Sequence, residues 1–265
     1  MSYRIIQLPQ QNPSSTLDWV KWAREEGLLM AVADCDVERC QHCYGSVGHG
    51  FTLCQNCEQY GTLDGWTVRH VLDAVVPITY SPDDGLESLL HQYKKSPPGR
   101  ERRSFGSALG SVVYEFIERH LECLTSVGGI DVATIVPPTK PRSFGPLRYA
   151  IEERVDVGWP FPWRFDLLEN HTGRRPPRGV LQPDLYTLTS DLDLAGMTVL
   201  LADDTWTSGS TMVSAASLLR DAGAARVVGL PIGRQVRSGT YGTSQDLYDT
   251  AHHQRWRLGR CVLCP

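Results

Sequence analysis

The sequence lacks any apolar run that approaches the roughly 18 residues needed for a membrane-spanning helix. Its opening segment, MSYRIIQLPQQNPSS, lacks the apolar stretch of a secretory signal peptide. Basic residues are not in excess, because 26 Lys and Arg stand against 30 Asp and Glu, for a net charge of −4. That balance argues against a dedicated nucleic-acid-binding protein. These absences favour a cytoplasmic globular protein with one large domain, or with a core of about 150 residues and a small module.

Cysteine, by contrast, is abundant, and eight cysteines in a chain expected to be cytoplasmic are more typical of metal ligands than of disulfides. Two C-x-x-C pairs, Cys40 with Cys43 and Cys54 with Cys57, are separated by ten residues rich in glycine. A hairpin over those residues would bring four thiolates around one ion. This spacing is that of a zinc ribbon, and four protein ligands leave no open coordination position, so we expect a structural Zn²⁺ site. The alternative is a set of reduced thiols or a redox pair.

A third C-x-x-C pair, Cys261 with Cys264, lies near the end of the sequence. It could complete a second metal site together with Cys35 and a histidine, or it could replace one of the N-terminal pairs in the first site. The candidate histidines are His49, His252 and His253. The remaining cysteine, Cys123, falls in a predicted helix, where we expect it to be a small buried apolar residue.

Residues 198–211, TVLLADDTWTSGST, carry the most specific pattern in the chain. Five uncharged residues, all apolar or β-branched, predict a strand buried on both faces of a parallel sheet. The acidic pair Asp203 and Asp204 follows the strand. A helix from about residue 211 to residue 222, ended by Gly223, completes a strand–loop–helix unit of the kind that binds phosphate in α/β sheets. The intervening loop consists of small, mostly hydroxyl-bearing residues: Thr207, Ser208, Gly209, Ser210 and Thr211.

This loop is not a Walker loop, because no lysine precedes its Ser or Thr, and it lacks the three glycines of a dinucleotide-binding fingerprint. An acidic pair directly before the loop suits a ligand in which a sugar diol adjoins a phosphate. The carboxylates would accept hydrogen bonds from the diol, while the loop amides and the helix N-terminus would hold the phosphate. The alternative is an ordinary buried strand followed by a polar loop.

The other segments alternate between helix and strand patterns, as in an α/β fold. Ser15 and Asp18 form a capping box at the start of a helix, and Leu86, Leu89 and Tyr93 form an apolar stripe on another. Helices are predicted over residues 15–26, 86–95, 105–116 and 146–154, and strands over residues 132–136, 185–189 and 227–230. A basic segment at residues 94–103 is either a positive rim for a phosphorylated ligand or nucleic acid, or a solvated loop.

Residues 203–211 resemble the signature of type I phosphoribosyltransferases, which bind 5-phosphoribosyl 1-diphosphate (PRPP) through two acidic residues and a Thr-Thr-Gly-x-Thr-like loop. Ser208 stands in place of the second Thr. The order of parts resembles the ComF family of competence-associated proteins from about Cys40 to Ile232: a four-cysteine ribbon, a helix ending in Tyr-Lys-Lys, a strand with a proline loop, and then this motif. The chain departs from that family at residues 142–146, which read RSFGP where Arg-Gly-Phe-Asn-Gln is usual, and in its C-terminal cysteine pair.

The resemblance implies a parallel-sheet, Rossmann-like phosphoribosyltransferase domain over residues 79–265 and a zinc-ribbon module over residues 35–78. The N-terminal helical extension predicted over residues 1–34 is unusual for that family. It implies an enzyme that binds PRPP with Mg²⁺, transfers ribose 5-phosphate to a nucleobase-like nitrogen base and releases pyrophosphate. The identity of the base stays open, and a homodimer is one option for its assembly. One alternative is a PRPP-binding protein without catalysis that engages single-stranded DNA or a DNA-handling partner. Another is hydrolysis or salvage of a modified base.

The same resemblance assigns roles to individual residues. Those implied in catalysis are Asp203, Asp204, Lys140 and Arg174, of which the last two would steady the leaving pyrophosphate. Those implied in PRPP binding are Thr205, Thr207, Ser208, Gly209, Ser210, Thr211, Pro138 and Thr139. The basic loop at residues 170–178 would close over PRPP, and its alternative is a disordered surface loop. The loop at residues 137–140 would bind pyrophosphate, and its alternative is a plain proline-rich turn.

Overall fold

The structure, a computed structural model, describes residues 3–33, 37–60, 71–139, 144–152, 158–237 and 242–264. The helices in these ranges are α1 (Thr16–Glu25), α2 (Gln55–Gln59), α3 (Leu86–Lys95), α4 (Arg100–Thr125), α5 (Pro146–Glu152), α6 (Ser210–Asp221) and α7 (Gly242–His253). The strands are β1 (Ala74–Val75), β2 (Thr79–Ser81), β3 (Val132–Ile135), β4 (Leu168–Glu169), β5 (Thr187–Leu188), β6 (Thr198–Trp206) and β7 (Arg226–Gln235).

Five of these strands form one parallel sheet. Strand β6 pairs with β3 on one side and with β7 on the other, while β1 and β2 pair in succession with the far edge of β7. The registers Ala74↔Val228 and Thr79↔Gly233 show that β1 and β2 together take the place of one edge strand. Strands β6 and β7 are long and largely buried, as expected for parallel strands covered on both faces. The α/β class and the parallel central sheet are therefore confirmed.

The hydrophobic core lies on both faces of this sheet, because successive side chains of β6 point in opposite directions. Leu200 of β6 packs with Phe105 and Val112 of α4 on one face. Leu201 packs with Val213 of α6 on the other face. Each of these side chains is almost fully buried, and burial of an aliphatic or aromatic side chain of this size contributes about 1.5–3 kcal/mol.

Several predicted elements are confirmed with their local causes. Helix α1 begins after Ser15, whose Oγ accepts a hydrogen bond from the Asp18 amide at 3.1 Å. The predicted stripe on α3 is buried from Leu86 to Tyr93, and the helix ends at Lys95 as expected. Strand β3 and helix α5 also form where the sequence places them. The sequence patterns from which these elements were predicted therefore correspond to buried faces and helix ends in the structure.

One predicted element differs from the structure. The strand predicted over residues 185–189 is reduced to β5, which pairs antiparallel with β4 outside the central sheet. A short 3₁₀ turn at Pro183–Leu185 takes up the first part of that segment, because proline fixes φ and donates no ladder hydrogen bond. In the tail after residue 233, for which no element was predicted, β7 continues to Gln235 and helix α7 follows.

The predicted division of the chain at residues 78 and 79 does not coincide with a structural boundary, because β1 belongs to the central sheet. The described part of the ribbon, residues 37–60, packs on the same core as strand β6 and helix α6. Helix α1 packs on α4 through Trp19 and Val20. Of the described helices, none combines the length and the apolar character that a membrane crossing requires.

Candidate functional site

The carboxyl ends of β3 and β6 open into a cavity of about 470 Å³, here called the central cavity. Open α/β sheets bind ligands at this edge, because loops and helix N-termini converge there. Strand β6 brings Asp203 and Asp204 to the cavity, and the loop that follows β3 brings Pro138 and Thr139. The cavity therefore collects residues from three predicted segments: the acidic pair, the hydroxyl-rich loop and the proline loop.

The hydroxyl loop, residues 207–211, turns at Gly209, whose φ of 87° lies in the left-handed region that favours glycine. A Cβ at this position would lie 2.2 Å from the ring of Trp206, so no other residue fits without rearrangement. Helix α6 begins directly after this turn. Among the described residues, no hydrogen-bond acceptor meets the amides of Ser208, Gly209 and Thr211. Such unpaired amides at a helix N-terminus carry partial positive charge, which suits a phosphate group.

Ser210 has a different place from its neighbours in the hydroxyl loop. Its side chain is buried, contacts the Tyr60 hydroxyl at 2.8 Å and accepts a hydrogen bond from the Gly179 amide at 3.1 Å. Tyr60 also donates to the Ser208 carbonyl at 2.9 Å. The Ser210 hydroxyl therefore supports the loop from the protein interior and does not face the central cavity. The other predicted loop residues, Thr207, Ser208, Gly209 and Thr211, line the central cavity.

The acidic pair lies at the end of β6 and faces the central cavity. Asp204 forms an ion pair with Lys94 of α3, with 2.5 Å between Oδ2 and Nζ. Asp203 accepts a hydrogen bond from the Asp204 amide at 2.8 Å. Burial and the neighbouring Asp204 carboxylate raise the pKa of Asp203 to about 8. Burial would lower the pKa of Lys94, but the charges of the surrounding carboxylates outweigh it and raise that pKa.

A third carboxylate, Glu87, also lines the central cavity and was not predicted from the sequence. It accepts a hydrogen bond from the Thr205 hydroxyl at 3.0 Å and lies 3.3 Å from the Ser81 hydroxyl. Burial raises the pKa of Glu87, and the Asp204 carboxylate adds to that shift. Thr205, for which PRPP binding is predicted, lines the cavity, and its hydroxyl is already engaged by Glu87.

Arginines also line the central cavity. Arg175 and Arg178 line it, whereas Arg174, the predicted residue, is exposed and is not among the lining residues. Arg175 donates to the Thr139 hydroxyl at 3.0 Å, which joins the basic loop to the proline loop. Arg237 also lines the cavity, and its Nε is enclosed without an acceptor among the described residues. Lys140 lies outside the described residues.

The four ribbon cysteines, here called the ribbon cluster (Cys40, Cys43, Cys54 and Cys57), are buried together. Their sulfur atoms all lie within 4.8 Å of one another, and the Cys43 and Cys54 sulfurs are 3.7 Å apart. The pKa of Cys40 is lowered by hydrogen bonds with the other three thiols, and the pKa of Cys57 is raised by the same neighbours. Four thiolates in tetrahedral contact are the donor set that Zn²⁺ prefers, so the cluster can hold zinc as predicted.

Arg234 of β7 connects the ribbon cluster to the hydroxyl loop. It is buried and donates to the Cys43 carbonyl at 2.8 Å and to the Cys43 sulfur at 3.3 Å. The same guanidinium donates to the carbonyls of Trp206 at 3.1 Å and Thr207 at 3.3 Å. Gly45 makes this contact possible, because a Cβ there would lie 1.6 Å from the guanidinium. One cation therefore compensates the thiolate charge and fixes the start of the hydroxyl loop.

The C-terminal cysteine pair belongs to a second group, here called the tail cluster (His120, Cys123, Cys261 and Cys264), which could also hold a metal ion. The first site keeps both of its own pairs, so no replacement occurs. The predicted histidines are elsewhere: His49 contacts Glu38, His252 lies near Asp84 and His253 contacts the Asp249 carbonyl. Cys35 lies outside the described residues. The expectation that Cys123 is only a buried apolar residue is wrong, since it is half-exposed and contacts Cys264 at 3.7 Å.

Some site residues that were not predicted nevertheless have a recognisable spacing in the sequence. Glu87 and Lys94 are seven residues apart on a predicted helix, so they lie on one face with an acid and a base together. His120 and Cys123 are three residues apart, which is helical spacing for two ligands of one ion. Arg175 lines the cavity and Arg174 does not because of the conformation of an irregular loop, which no periodic sequence pattern could predict.

Comparison with known proteins does not place the chain in a family. It matches no protein-family model, and no curated protein matches it.

Proposed function

We propose that the protein is a phosphoribosyltransferase that binds PRPP with Mg²⁺ in the central cavity. The observation that supports this most directly is the meeting of the acidic pair with the hydroxyl loop in one cavity. Asp203 and Asp204 line the same space as Ser208, Gly209 and Thr211, whose amides have no acceptor among the described residues. Two carboxylates beside an anion-binding turn match a ligand with a diol next to a phosphate.

The 5-phosphate would occupy the turn at residues 207–211. The amides of Gly209 and Thr211 would donate to its oxygens, with the Thr207, Ser208 and Thr211 hydroxyls around it. Ser210 would act from below, because its hydroxyl is engaged by Tyr60 and Gly179. Charge-assisted hydrogen bonds of this kind are roughly twice as strong as neutral ones, so this turn would provide most of the affinity for the sugar phosphate.

The ribose diol would lie against the acidic pair. Binding requires Asp204 to exchange its Lys94 partner, at 2.5 Å, for ribose hydroxyls, which would leave Lys94 free to contact an anionic oxygen of PRPP. Asp203 would release its proton when a cation enters the cavity, because a nearby positive charge favours the ionised form. The acidic pair offers the hard oxygen ligands that Mg²⁺ prefers, and the ion would supply positive charge that offsets the negative charge of the pyrophosphate.

Pyrophosphate would leave toward the arginine side of the cavity. The bond from ribose C1 to pyrophosphate oxygen breaks, with its electron pair left on the pyrophosphate, and a bond from C1 to a nitrogen of the base forms as that nitrogen loses its proton to water. The transition state carries positive charge on the ribose. The carboxylates would stabilise that charge, while Arg175, Arg178 and Arg237 would stabilise the departing anion. Lys140 and Arg174 remain candidates from the resemblance, and Arg175 is the better placed of the two neighbouring arginines.

The test is calorimetric titration of the zinc-loaded full chain with Mg²⁺–PRPP, followed by an assay of pyrophosphate release with a panel of nucleobases. We expect the double variant Asp203→Asn with Asp204→Asn to lose PRPP binding and turnover. Asp221→Asn, at the far end of helix α6, is the matched control and should behave as the wild type. Undiminished turnover in the double variant would overturn the assignment.

Binding without pyrophosphate release for any base would instead favour the non-catalytic PRPP-binding alternative. The single-stranded DNA part of that alternative has a weaker basis than the sequence indicated. Arg100 donates to the carbonyl of Pro9 at 3.1 Å, and Arg102 donates to the Ser96 carbonyl at 3.0 Å. These arginines of the basic rim are therefore engaged within the chain. A salt-dependent affinity for single-stranded DNA, measured beside the PRPP titration, would revive it.

A further inference from the structure

The tail cluster has the dimensions of a tetrahedral zinc site. Its sulfur–sulfur distances are 3.4 Å from Cys261 to Cys264 and 3.7 Å from Cys123 to Cys264, and the Cys264 sulfur lies 3.5 Å from His120 Nδ1. With Zn–S bonds of about 2.3 Å and Zn–N bonds of about 2.0–2.1 Å, a tetrahedron has edges of about 3.8 Å between sulfurs and about 3.6 Å between sulfur and nitrogen. All four ligand atoms lie within 4.8 Å of one another.

His120 is oriented for metal binding by a second contact. Its Nε2 lies 2.8 Å from the Leu258 carbonyl, which can only accept, so this nitrogen carries the proton. Nδ1 then has its lone pair directed at the cysteines. This arrangement is the usual one for a metal-binding histidine, whose other ring nitrogen donates to an oxygen. Helix α4 departs from helical geometry at His120, with φ −118° and ψ 18°, which lets the ring and Cys123 face the tail together.

The cysteines of this cluster are positioned as ligands and not as a disulfide. A disulfide has a sulfur–sulfur bond of about 2.05 Å, well below the 3.4 Å between Cys261 and Cys264. The Cys261 amide lies 3.2 Å from the Cys264 sulfur and donates to it, which fixes the position of that sulfur. Three soft sulfur ligands and one imidazole select Zn²⁺ over the hard cations Mg²⁺ and Ca²⁺.

We propose that the tail cluster binds a second, structural Zn²⁺ ion through His120 Nδ1 and the sulfurs of Cys123, Cys261 and Cys264. The ion fastens the segment after α7 to the end of α4. Since α4 ends just before β3 begins, the site lies at the amino edge of the sheet, opposite the central cavity. The tail segment it fixes includes Trp256, which is buried in the core and donates to the Ile78 carbonyl at 2.9 Å. The site is therefore independent of the proposed phosphoribosyl transfer.

The test is native mass spectrometry of the full chain, purified without added chelator, with zinc analysis in parallel. We expect two Zn²⁺ per wild-type chain, one in the double variant Cys261→Ser with Cys264→Ser, and one in Cys40→Ser with Cys43→Ser. The control His253→Gln, on the neighbouring helix α7 but outside the cluster, should keep two. In Co²⁺-loaded protein, the ribbon variant should show the absorption of a three-sulfur, one-nitrogen site.

Two results would overturn the proposal, the first read on the wild type beside a variant and the second on the wild type alone. One is a single Zn²⁺ per chain that persists in the Cys261→Ser, Cys264→Ser variant. The other is a chain mass about 2 Da below that of the reduced chain, with Cys261 and Cys264 joined as a disulfide. If a variant fails to fold, the zinc stoichiometry of the wild type still decides between one site and two.

Discussion

Replacing Asp203 by Asn is expected to raise the stability of the protein and, at the same time, to weaken its proposed function. The carboxyl of Asp203 has a pKa of about 8 in the folded chain, against an ordinary value of 3.8. Between these two pH values the folded state keeps a proton that the unfolded chain has lost. The stability contribution of Asp203 therefore falls as the pH rises from about 4 to about 8, and it is level outside that window. Asn cannot ionise and does not follow this dependence.

The magnitude follows from the pKa shift. At pH 7 the part of the shift between 3.8 and 7 corresponds to about 4 kcal/mol of unfavourable free energy in the wild type. Because Asp203 is half-buried and faces a cavity open to water, it retains part of its hydration, and we expect Asp203→Asn to be more stable by about 2–3 kcal/mol. At pH 5 the advantage should shrink to roughly 1 kcal/mol. The Asn side chain can keep the hydrogen bond from the Asp204 amide.

The assay is urea unfolding of wild type and variant from pH 5 to pH 8.5 at constant ionic strength, with Mg²⁺–PRPP titration of both. Asp204→Asn is the matched control, because it removes the ion pair with Lys94 and should lower stability by about 0.5–1 kcal/mol. Both variants should weaken PRPP binding at least tenfold. The reasoning fails if Asp203→Asn is less stable than the wild type at pH 8, or if the difference does not change with pH.

Three further predictions concern the walls of the central cavity. Tyr60→Phe removes the hydroxyl that supports the hydroxyl loop, and should lower the free energy of unfolding by about 1–2 kcal/mol in urea titrations and weaken PRPP binding; unchanged affinity would show that the loop keeps its position unaided. Arg175→Ala should weaken PRPP binding about tenfold by calorimetry, whereas Arg174→Ala should stay within twofold, and equal effects would contradict the geometry. Gly209→Ala should cost at least about 2 kcal/mol and abolish PRPP binding, and a variant with wild-type melting temperature would contradict the requirement for glycine.

The parts of the fold that the sequence predicted well are those with a strong local signal. Strand β6 carries five uncharged residues before Asp203, and α3 carries a regular apolar stripe, so packing and periodicity agree there. Helix α7 was missed because the polar tail gives a weak pattern, with Leu247 and Ala251 as its buried residues. The segment at residues 185–189 looked like a core strand because the pattern does not say which sheet a strand joins.

In the candidate site, too, the residues that could be predicted are those with a local sequence signal. The acidic pair and the hydroxyl loop are contiguous in sequence, so their meeting in one cavity follows from one strand and one turn. The tail cluster unites Cys123 with Cys264 across 141 positions, and only the tertiary fold brings them together. Likewise, nothing local distinguishes Arg234, whose contacts with Cys43 and Thr207 span two distant segments.

The position of Arg234 has a consequence for how this protein can be divided. Its guanidinium is rigid and planar and has several donors in fixed directions. It donates to Cys43 of the ribbon and to the carbonyls of Trp206 and Thr207 of the sheet domain. Separate expression would leave the sheet domain without the Cys43 acceptors of this guanidinium and would leave the ribbon without the cation beside its cysteines. The boundary between the ribbon and the sheet domain is therefore crossed by these hydrogen bonds. We expect the two parts to unfold together in a single thermal transition.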